Sequence, residues 1–457
     1  MSRSDSLRWA GIGVVAAYLV VLGARAPQHA WNDVRLAAAS MVWDGPAFGP
    51  YAPEGGGPVS TWIYGPASLI WWSPAAAIRS VAGALTTAFA INALTLIPGL
   101  FYAIRVASEH HVGAREVGLA LFLVIALWPR FGFEYLVADN LGLAAALVSI
   151  ALLLRPTPLI GGAAICTGIA ILSKQTMLPL AIAQVVWMAA RHSSRASLRL
   201  CGGITATVGI GLAATLIGFG ATAVHYNLVT IPAAVPWGAP LAKLAPIEHW
   251  PYVILLVIVP LLSATWTRSR WWHPTSSWSL PVWSMLALFP GSIAGFFKVG
   301  GSVNSLAAVL IVFPSVAVFI STSRYRTAAT IGAAGWMICQ AGFVGMSAYA
   351  HRGGLSSGIE LVQAYRGRIH LPWHPLLQAK TEGVYYHAED GLLTRLAAGS
   401  PYSPATLAAN QPHAGPLILA YDAEDPLGYL TSFLPVDSSI VQIGSWTLYA
   451  SPPAPTP

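Results

Sequence analysis

The residues best able to do chemistry are concentrated in the stretch 25–81, called here the first loop, which directly follows the first apolar segment of this 457-residue chain. It contains Asp33, Arg35, Asp44 and Tyr64, together with further aromatic residues and a run of glycines. A carboxylate can take a proton from a hydroxyl group, and cationic side chains can stabilise a phosphate. The first loop therefore predicts a group-transfer site with Asp33 as the base.

Further polar residues lie at the ends of apolar segments. They are Asp139 before 140–154, Lys174 and Gln175 between 159–172 and 176–190, and Lys298 with Asn304 at the boundary between 279–296 and 304–321. A lysine at the end of an apolar helix is costly unless it meets an anion or extends to the membrane interface. We therefore expect Lys174 and Lys298 to bind a phosphate.

Each of these residues also has a plain structural interpretation. Asp33 could cap a helix over 34–42, and Asp139 could cap its own helix or hold an acceptor, a metal or an arginine. Asp44 before Gly45-Pro46 is typical of a turn. Lys298 could end a helix that uses the following glycines as a cap. The aromatic residues of the first loop could lie in the membrane interface or stack against a sugar.

The composition of the chain indicates whether lipid or water surrounds the fold that carries these residues. Hydrophobic residues make up 55% of the chain and charged residues only 9%, which is too little polar surface for a soluble globule of this size. The formal charge is +7, yet the tail, residues 351–457, has five basic and eight acidic residues. This split predicts an integral membrane protein whose basic residues remain on the cytoplasmic side, and it argues against a nucleic-acid partner.

About eleven apolar segments are predicted to span the membrane. They cover 9–24, 82–104, 117–131, 140–154, 159–172, 176–190, 203–224, 250–266, 279–296, 304–321 and 328–348. With the N-terminus inside, every cytoplasmic connection contains arginine, as short cytoplasmic loops should. The first loop and the tail then lie on the non-cytoplasmic side.

The apolar stretch 62–78 would invert this topology if it crossed the membrane. Because Pro66 and Pro74 interrupt it, it is predicted to be interfacial or re-entrant. The tail is predicted to form a small α/β or mostly β domain, with strands within 416–421 and 438–449. His370 and His374 have a spacing that could hold zinc on a helix, but Pro372 and Pro375 argue against a helix there.

Several of these motifs together resemble the GT-C glycosyltransferases. The resemblance rests on Asn32-Asp33-Val34 after the first span, Tyr64-Gly65-Pro66 at the end of the first loop, Ala138-Asp139-Asn140, Ser173-Lys174-Gln175 and Lys298-Val299-Gly300. In that family the first loop usually reads Asp-Glu near its start and Tyr-Pro-Pro or Lys-Pro-Pro near its end, so this chain lacks the second acid and the first proline. The resemblance covers residues 1 to about 350.

The resemblance implies an all-α polytopic catalytic domain over 1–350 and a non-cytoplasmic domain over 351–457. It implies an inverting transferase that moves a sugar from a polyprenyl-phosphate donor to a glycan, lipid or protein acceptor of the bacterial cell envelope. Asp33 and Asp139 would be catalytic. Substrate would be bound by Lys174, Lys298, Arg35, Tyr64, Asp44, Asn304 and Gln175. A divalent metal is a candidate cofactor, and membrane lipids are expected partners.

Two other classes fit parts of the pattern. A transporter with a non-cytoplasmic cap would place charges inside its spans and use inverted halves, whereas the charges here gather at one face. A non-catalytic scaffold would leave the acidic first loop without a purpose. A shared active site requires Asp33, Asp139, Lys174 and Lys298 to converge, because catalytic groups must reach one bound substrate.

Overall fold

The chain is mostly helical, with a small sheet near its C-terminus. The computed structural model describes residues 3–450 except 61, 109–112, 130, 239–278, 302, 351–352, 424, 426–427 and 435–437, and it describes no side chain for residues 3–12, 131, 304 and 350. The predicted span over 250–266 lies outside the described residues.

Ten helices match the other ten predicted apolar segments. They are α1 (Arg3–Arg25), α4 (Val81–Ala107), α5 (Ala114–Leu127), α7 (Ala138–Leu154), α8 (Ile160–Ser173), α9 (Leu178–Arg191), α10 (Ser194–Phe219), α13 (Ser279–Phe297), α14 (Ala307–Thr322) and α15 (Arg326–Ala350). Shorter helices between them are α2 (Ala30–Asp44), α3 (Ala67–Ala76), α6 (Phe131–Glu134), α11 (Ala221–His225) and α12 (Ile231–Ala234). Within the described residues, α4, α10, α13 and the helix that begins at Arg326 are long and apolar enough to cross a membrane. The chain is an integral membrane protein, and the count of eleven spans stays a prediction.

Local signals in the sequence determine where α4 and α10 begin and where α10 ends. Ser80 caps α4 by accepting the Gly83 N–H, and Ser193 caps α10 by accepting the Ala196 N–H. Gly220 ends α10 with φ +83°, a left-handed conformation that glycine adopts without steric cost.

The stretch 62–78 forms a helix too short to cross a bilayer. Helix α3 has ten residues, and at 1.5 Å per residue it rises only about 15 Å of the roughly 30 Å required. Its Trp72 is buried, donates to Asn92 Oδ1 at 3.0 Å and meets Trp62 edge to face at 5.6 Å. This helix therefore packs on protein, and Trp71 is the ring that stays exposed.

The tail is a small α/β unit. Its helices are α16 (Gly354–Ala364), α17 (Pro375–Glu382), α18 (Glu389–Ala397) and α19 (Pro404–Ala408), and its strands are β1 (Ile369–His370), β2 (Ile418–Asp422), β3 (Ser439–Ile443) and β4 (Trp446–Ala450). The sheet has the order β1-β2-β4-β3, with β1 parallel to β2 and the other pairs antiparallel. The predicted strand over 438–449 is a hairpin that turns at Gly444, φ +61°.

The first loop and the tail share one buried core. Val34, Val59, Trp373, Leu392 and Tyr421 belong to the same cluster of buried side chains. Hydrogen bonds cross the same boundary from the tail: Ala388 N to Val59 O at 2.8 Å, Tyr385 Oη to Ser40 Oγ at 2.8 Å and Tyr402 Oη to Gly56 O at 2.8 Å. The tail is thus seated on the segment that holds Asp33, Arg35, Asp44 and Tyr64.

Candidate functional site

A buried ion pair lies where α7 begins and α8 ends. Asp139 stands in the first turn of α7, and Lys174 follows the last residue of α8 in an extended conformation. Lys174 Nζ is 2.7 Å from Asp139 Oδ1, and the two residues are only 7% and 2% exposed. Removing one member of such a pair leaves a buried charge uncompensated, typically at a cost of about 3–5 kcal/mol. Each residue of the pair therefore needs the other unless a charged ligand takes its place.

A second cation, Arg35, lies close to this pair, because Arg35 and Lys174 both contact the ring of Tyr64. The ring centroid of Tyr64 is 5.5 Å from Lys174 Nζ and 5.3 Å from Arg35 Cζ, so two cations flank one aromatic ring. Arg35 also lies over Trp31 at 5.4 Å and Trp62 at 5.8 Å. A cation over an aromatic face gains about 0.5–2 kcal/mol. Arg35, Tyr64, Asp139 and Lys174 are thus brought together from four separate parts of the chain.

The segment that carries Tyr64 is held by Gln175 and by a close backbone approach. Gln175 Nε2 donates to Ile63 O at 3.3 Å and to Leu228 O at 3.2 Å. A Cβ at Gly65 would overlap the carbonyl of Leu172, near the end of α8. Glycine at position 65 therefore lets the segment that carries Tyr64 contact the end of α8, next to Lys174. Because proline has a Cβ, the same close contact explains why Gly65 stands in place of the first proline of Tyr-Pro-Pro.

Asp33 occupies a different environment, 1% exposed at the interface with the tail. Its Oδ1 accepts the Leu376 N–H at 2.7 Å and its Oδ2 accepts the Leu377 N–H at 3.2 Å. These are the free N–H groups of the first turn of α17, because Pro375 has none and His374 makes no side-chain cap. Asp33 thus caps a helix of the tail. It does not cap its own helix, whose cap is His29.

Charged groups surround Asp33 as well. His374 Nδ1 is 4.0 Å from Asp33 Oδ2, and His374 Nε2 is 3.4 Å from Asp425 Oδ2. Burial raises the pKa of Asp33 to about 6, although His374 and the two N–H groups lower it. Burial lowers the pKa of His374, but attraction to Asp425 and Asp33 outweighs it and raises the value to about 9. His374 is therefore a cation held between two carboxylates. Catalysis by Asp33 stays a prediction.

Among the described residues, no contact joins the remaining predicted residues to the Asp139–Lys174 pair. Lys298 donates to Pro232 O, and the chain after it turns through Gly300, φ +75°, with the Gly301 N–H bonded to Lys298 O. This is the helix-end geometry that its glycines allow. Asp44 is exposed at the end of α2 and interacts electrostatically with Lys380. Asn304 lies in a short 3-10 helix, and its side chain is outside the described set.

Two residues that approach the site were not predicted. Asp390, in the first turn of α18, lies within electrostatic reach of Arg35 and Arg395, and Arg395 donates to Asn227 Oδ1 at 2.6 Å. The sequence signal at Asp390 is only that of an acidic first turn, which is ordinary at a helix start. No group of three or more potential metal ligands occurs among the described residues.

Comparison with known proteins identifies the fold. No family model and no curated protein matches the sequence. The structure of ArnT from Cupriavidus metallidurans bound to undecaprenyl phosphate is similar with a TM-score of 0.61 at 11% identity, covering 98% of both chains. ArnT from the same organism in the apo state gives 0.59 at 12% identity and the same coverage. The apo oligosaccharyltransferase of Archaeoglobus fulgidus gives 0.44 at 12% identity, covering 91% of this chain and 70% of that one.

ArnT is an aminoarabinose transferase of the GT-C superfamily. Its likeness extends over nearly the whole chain, the tail included, at an identity that speaks for the fold alone. This protein is therefore an integral membrane protein with the fold of ArnT.

Proposed function

We propose that this protein is a glycosyltransferase that takes a sugar from a polyprenyl-phosphate donor and transfers it on the non-cytoplasmic side of a bacterial cytoplasmic membrane. The observation that carries the proposal is the cluster of Lys174, Asp139, Arg35 and Tyr64 in a GT-C fold. A similar protein, ArnT, has been solved with undecaprenyl phosphate bound.

The charge of the cluster suits this donor. Lys174 and Arg35 supply two positive charges and Asp139 one negative charge, which leaves one positive charge for a phosphodiester-linked sugar. When the glycosidic bond breaks, the phosphate becomes a monoester and gains further negative charge, since the second pKa of a monoester is about 6. Once the donor is bound, Lys174 and Arg35 beside Tyr64 stabilise that developing charge. Lys174 and Arg35 thus stabilise the departing phosphate monoester more than the bound phosphodiester donor.

The acceptor hydroxyl needs a base, and Asp139 is our candidate. It already touches the cation that would meet the phosphate, so a hydroxyl attacking the adjacent sugar carbon would approach the same place. Lys174 would turn from Asp139 toward the phosphate when donor binds, freeing a carboxylate oxygen. Asp33 is the second candidate, but both of its oxygens accept backbone N–H groups of α17. A substrate role for Lys298, Asp44 and Asn304 stays a prediction, because no described contact joins them to this cluster.

Binding of undecaprenyl phosphate tests the proposal without knowledge of the acceptor. We expect the purified protein in nanodiscs to bind radiolabelled undecaprenyl phosphate, and Lys174→Gln to weaken this binding at least tenfold. Arg105→Gln is the matched control, because Arg105 is an exposed cation of α4. The double variant Asp139→Asn/Lys174→Gln separates binding from folding, since it leaves no unpaired buried charge.

The transfer itself is followed in membranes, which contain the natural acceptor. Wild type should release undecaprenyl phosphate from an undecaprenyl-phosphate sugar, and the double variant should not, at equal protein level and equal Tm. Equal affinity of wild type and Lys174→Gln for undecaprenyl phosphate would overturn the assignment of the phosphate site.

A further inference from the structure

An open cleft of about 490 Å³ lies between the start of α8 and the first half of α10. On the α8 side its walls are apolar and include Ile160 and Ile165, and on the α10 side it is lined by Gly203 and by one cation, Arg199. Its volume falls within the range of about 300–1,000 Å³ that is usual for ligand sites. Because α8 has 14 residues and rises about 20 Å, the cleft is far from Lys174, which follows the other end of that helix.

Two glycines account for the shape of the cleft. A Cβ on Gly203 would come within 2.7 Å of the Cβ of Ala164, so α10 and α8 approach each other closely at this point. A Cβ on Gly161 would meet no atom within 4 Å, so the missing side chain leaves open space beside that contact. Ile165 and Leu198 are exposed next to the cleft. In an integral membrane protein such an exposed apolar surface faces lipid, so the cleft opens toward acyl chains.

Positive charge gathers at the same end of these helices. Arg195 and Arg199 are one turn apart and therefore lie on one face of α10. Arg155 follows α7 and Arg191 ends α9, and the sequence has no acidic residue within 140–247. Among the residues that the structure describes, neither Arg195 nor Arg199 has a hydrogen bond or an ion pair. Their guanidinium groups are therefore available to an anion.

We propose that this cleft binds an anionic phospholipid, with the lipid phosphate on Arg199 and Arg195 and an acyl chain along Ile160 and Ile165. Basic pockets between membrane helices on the cytoplasmic side bind anionic headgroups, and the arginines of these connections predict that this end of α8 faces the cytoplasm. A phospholipid is favoured over a free anion, because the cation stands beside apolar walls that are open to the bilayer. The inference is independent of the proposed function, since the Lys174 cluster lies at the opposite end of α8.

Native mass spectrometry of the purified protein in detergent tests the inference. The ligands are dioleoylphosphatidylglycerol and, as the matched lipid without net charge, dioleoylphosphatidylcholine. An arginine near the headgroup contributes about fivefold to the affinity, so wild type should prefer phosphatidylglycerol by about tenfold or more. Arg199→Gln should weaken binding of phosphatidylglycerol about fivefold, and Arg195→Gln/Arg199→Gln about 10- to 30-fold. Gly161→Leu fills the cleft but keeps both arginines, and it should also weaken this binding.

Two control variants make the same chemical changes outside the cleft. Arg324→Gln removes an exposed arginine between α14 and α15, and Gly209→Leu adds a side chain to an exposed glycine of α10 that has open space around it. Both should bind phosphatidylglycerol as wild type does, at equal Tm. If Arg199→Gln weakens the binding no more than Arg324→Gln does, net charge alone attracts the lipid and the inference is wrong. It is also wrong if Gly161→Leu binds like Gly209→Leu, or if wild type binds the two lipids equally.

Discussion

Asp139 and Asp33 are both buried carboxylates, yet their partners differ in kind. Asp139 faces the side-chain cation of Lys174, whereas Asp33 accepts two backbone N–H groups of α17. A side-chain cation can change partner when an anionic ligand arrives, but backbone donors are released only if the helix moves. A buried acid is thus a candidate for catalysis when its partner can be exchanged for a ligand.

The largest expected effect comes from substituting asparagine at each of the two positions. Asp139→Asn should lower donor turnover by about 10²- to 10⁴-fold, as loss of a general base does. Asp33→Asn should reduce turnover only in proportion to any loss of folded protein. Release of undecaprenyl phosphate in membranes, normalised to protein that retains its native Tm, measures both. Full stability of Asp33→Asn combined with absent turnover would reverse the two assignments.

The second prediction concerns stability. Asp33→Ala leaves the N–H groups of Leu376 and Leu377 unsatisfied and the cationic His374 without one of its carboxylates, which should cost roughly 2–4 kcal/mol. Asp44→Ala, at the exposed end of the same helix, should change stability by less than about 0.5 kcal/mol. Chemical denaturation and limited proteolysis of the tail report the difference. Equal stability of the two variants would mean that Asp33 does not hold α17.

A smaller effect is expected from the ring shared by Lys174 and Arg35. Tyr64→Leu removes two cation–π contacts and should weaken binding of undecaprenyl phosphate about 5- to 30-fold. Tyr64→Phe keeps the ring and should retain most of the affinity. If the leucine and phenylalanine variants bind alike, the ring does not position the two cations.

The smallest effect is a pH dependence of the contact between the tail and the first loop. The folded-state pKa of His374 is raised to about 9 by Asp425, Asp33 and Asp422, against burial, so its stabilisation is complete below about pH 6.5 and is lost toward pH 9. Across this window the Tm of wild type should fall by a few degrees more than that of His374→Gln. If the Tm of wild type and the Tm of His374→Gln change with pH in the same way, His374 is not protonated in the folded protein.

Much of the fold could be predicted because lipid demands long apolar helices with polar ends. The ten described bundle helices begin and end within about ten residues of the predicted segments. The break predicted at Pro66 agrees with the start of the ten-residue helix α3, whereas Pro74, also predicted to interrupt the stretch, lies inside that helix. The strands of the tail were harder, since β1 has two residues and the hairpin of β3 and β4 has no polar interruption apart from Gly444-Ser445.

The candidate site could be predicted only in part. The residue types of Asp139, Lys174, Arg35 and Tyr64 pointed to phosphate chemistry, but Asp139 and Lys174 are 35 positions apart and the sequence between them contains no signal that they form a pair. The cap made by Asp33 could not be predicted, because its partners are backbone N–H groups. Nearly every residue has such a group, so the residue types give no indication of this contact. Asp390 was missed because an acid at a helix start is common.

The cap on α17 also has a consequence for biosynthesis. Asp33 and Leu376 are separated by 343 residues, and at about 5–20 residues per second the ribosome needs roughly 20–70 s to make that interval. During this time Asp33 has no partner from the tail, and the apolar surface of the first loop that the tail will cover is open. A nascent chain that stops before Pro375 cannot complete this core. A chain truncated before Pro375 therefore leaves the buried side chains of the first loop, Val34 and Val59 among them, without their cover from the tail.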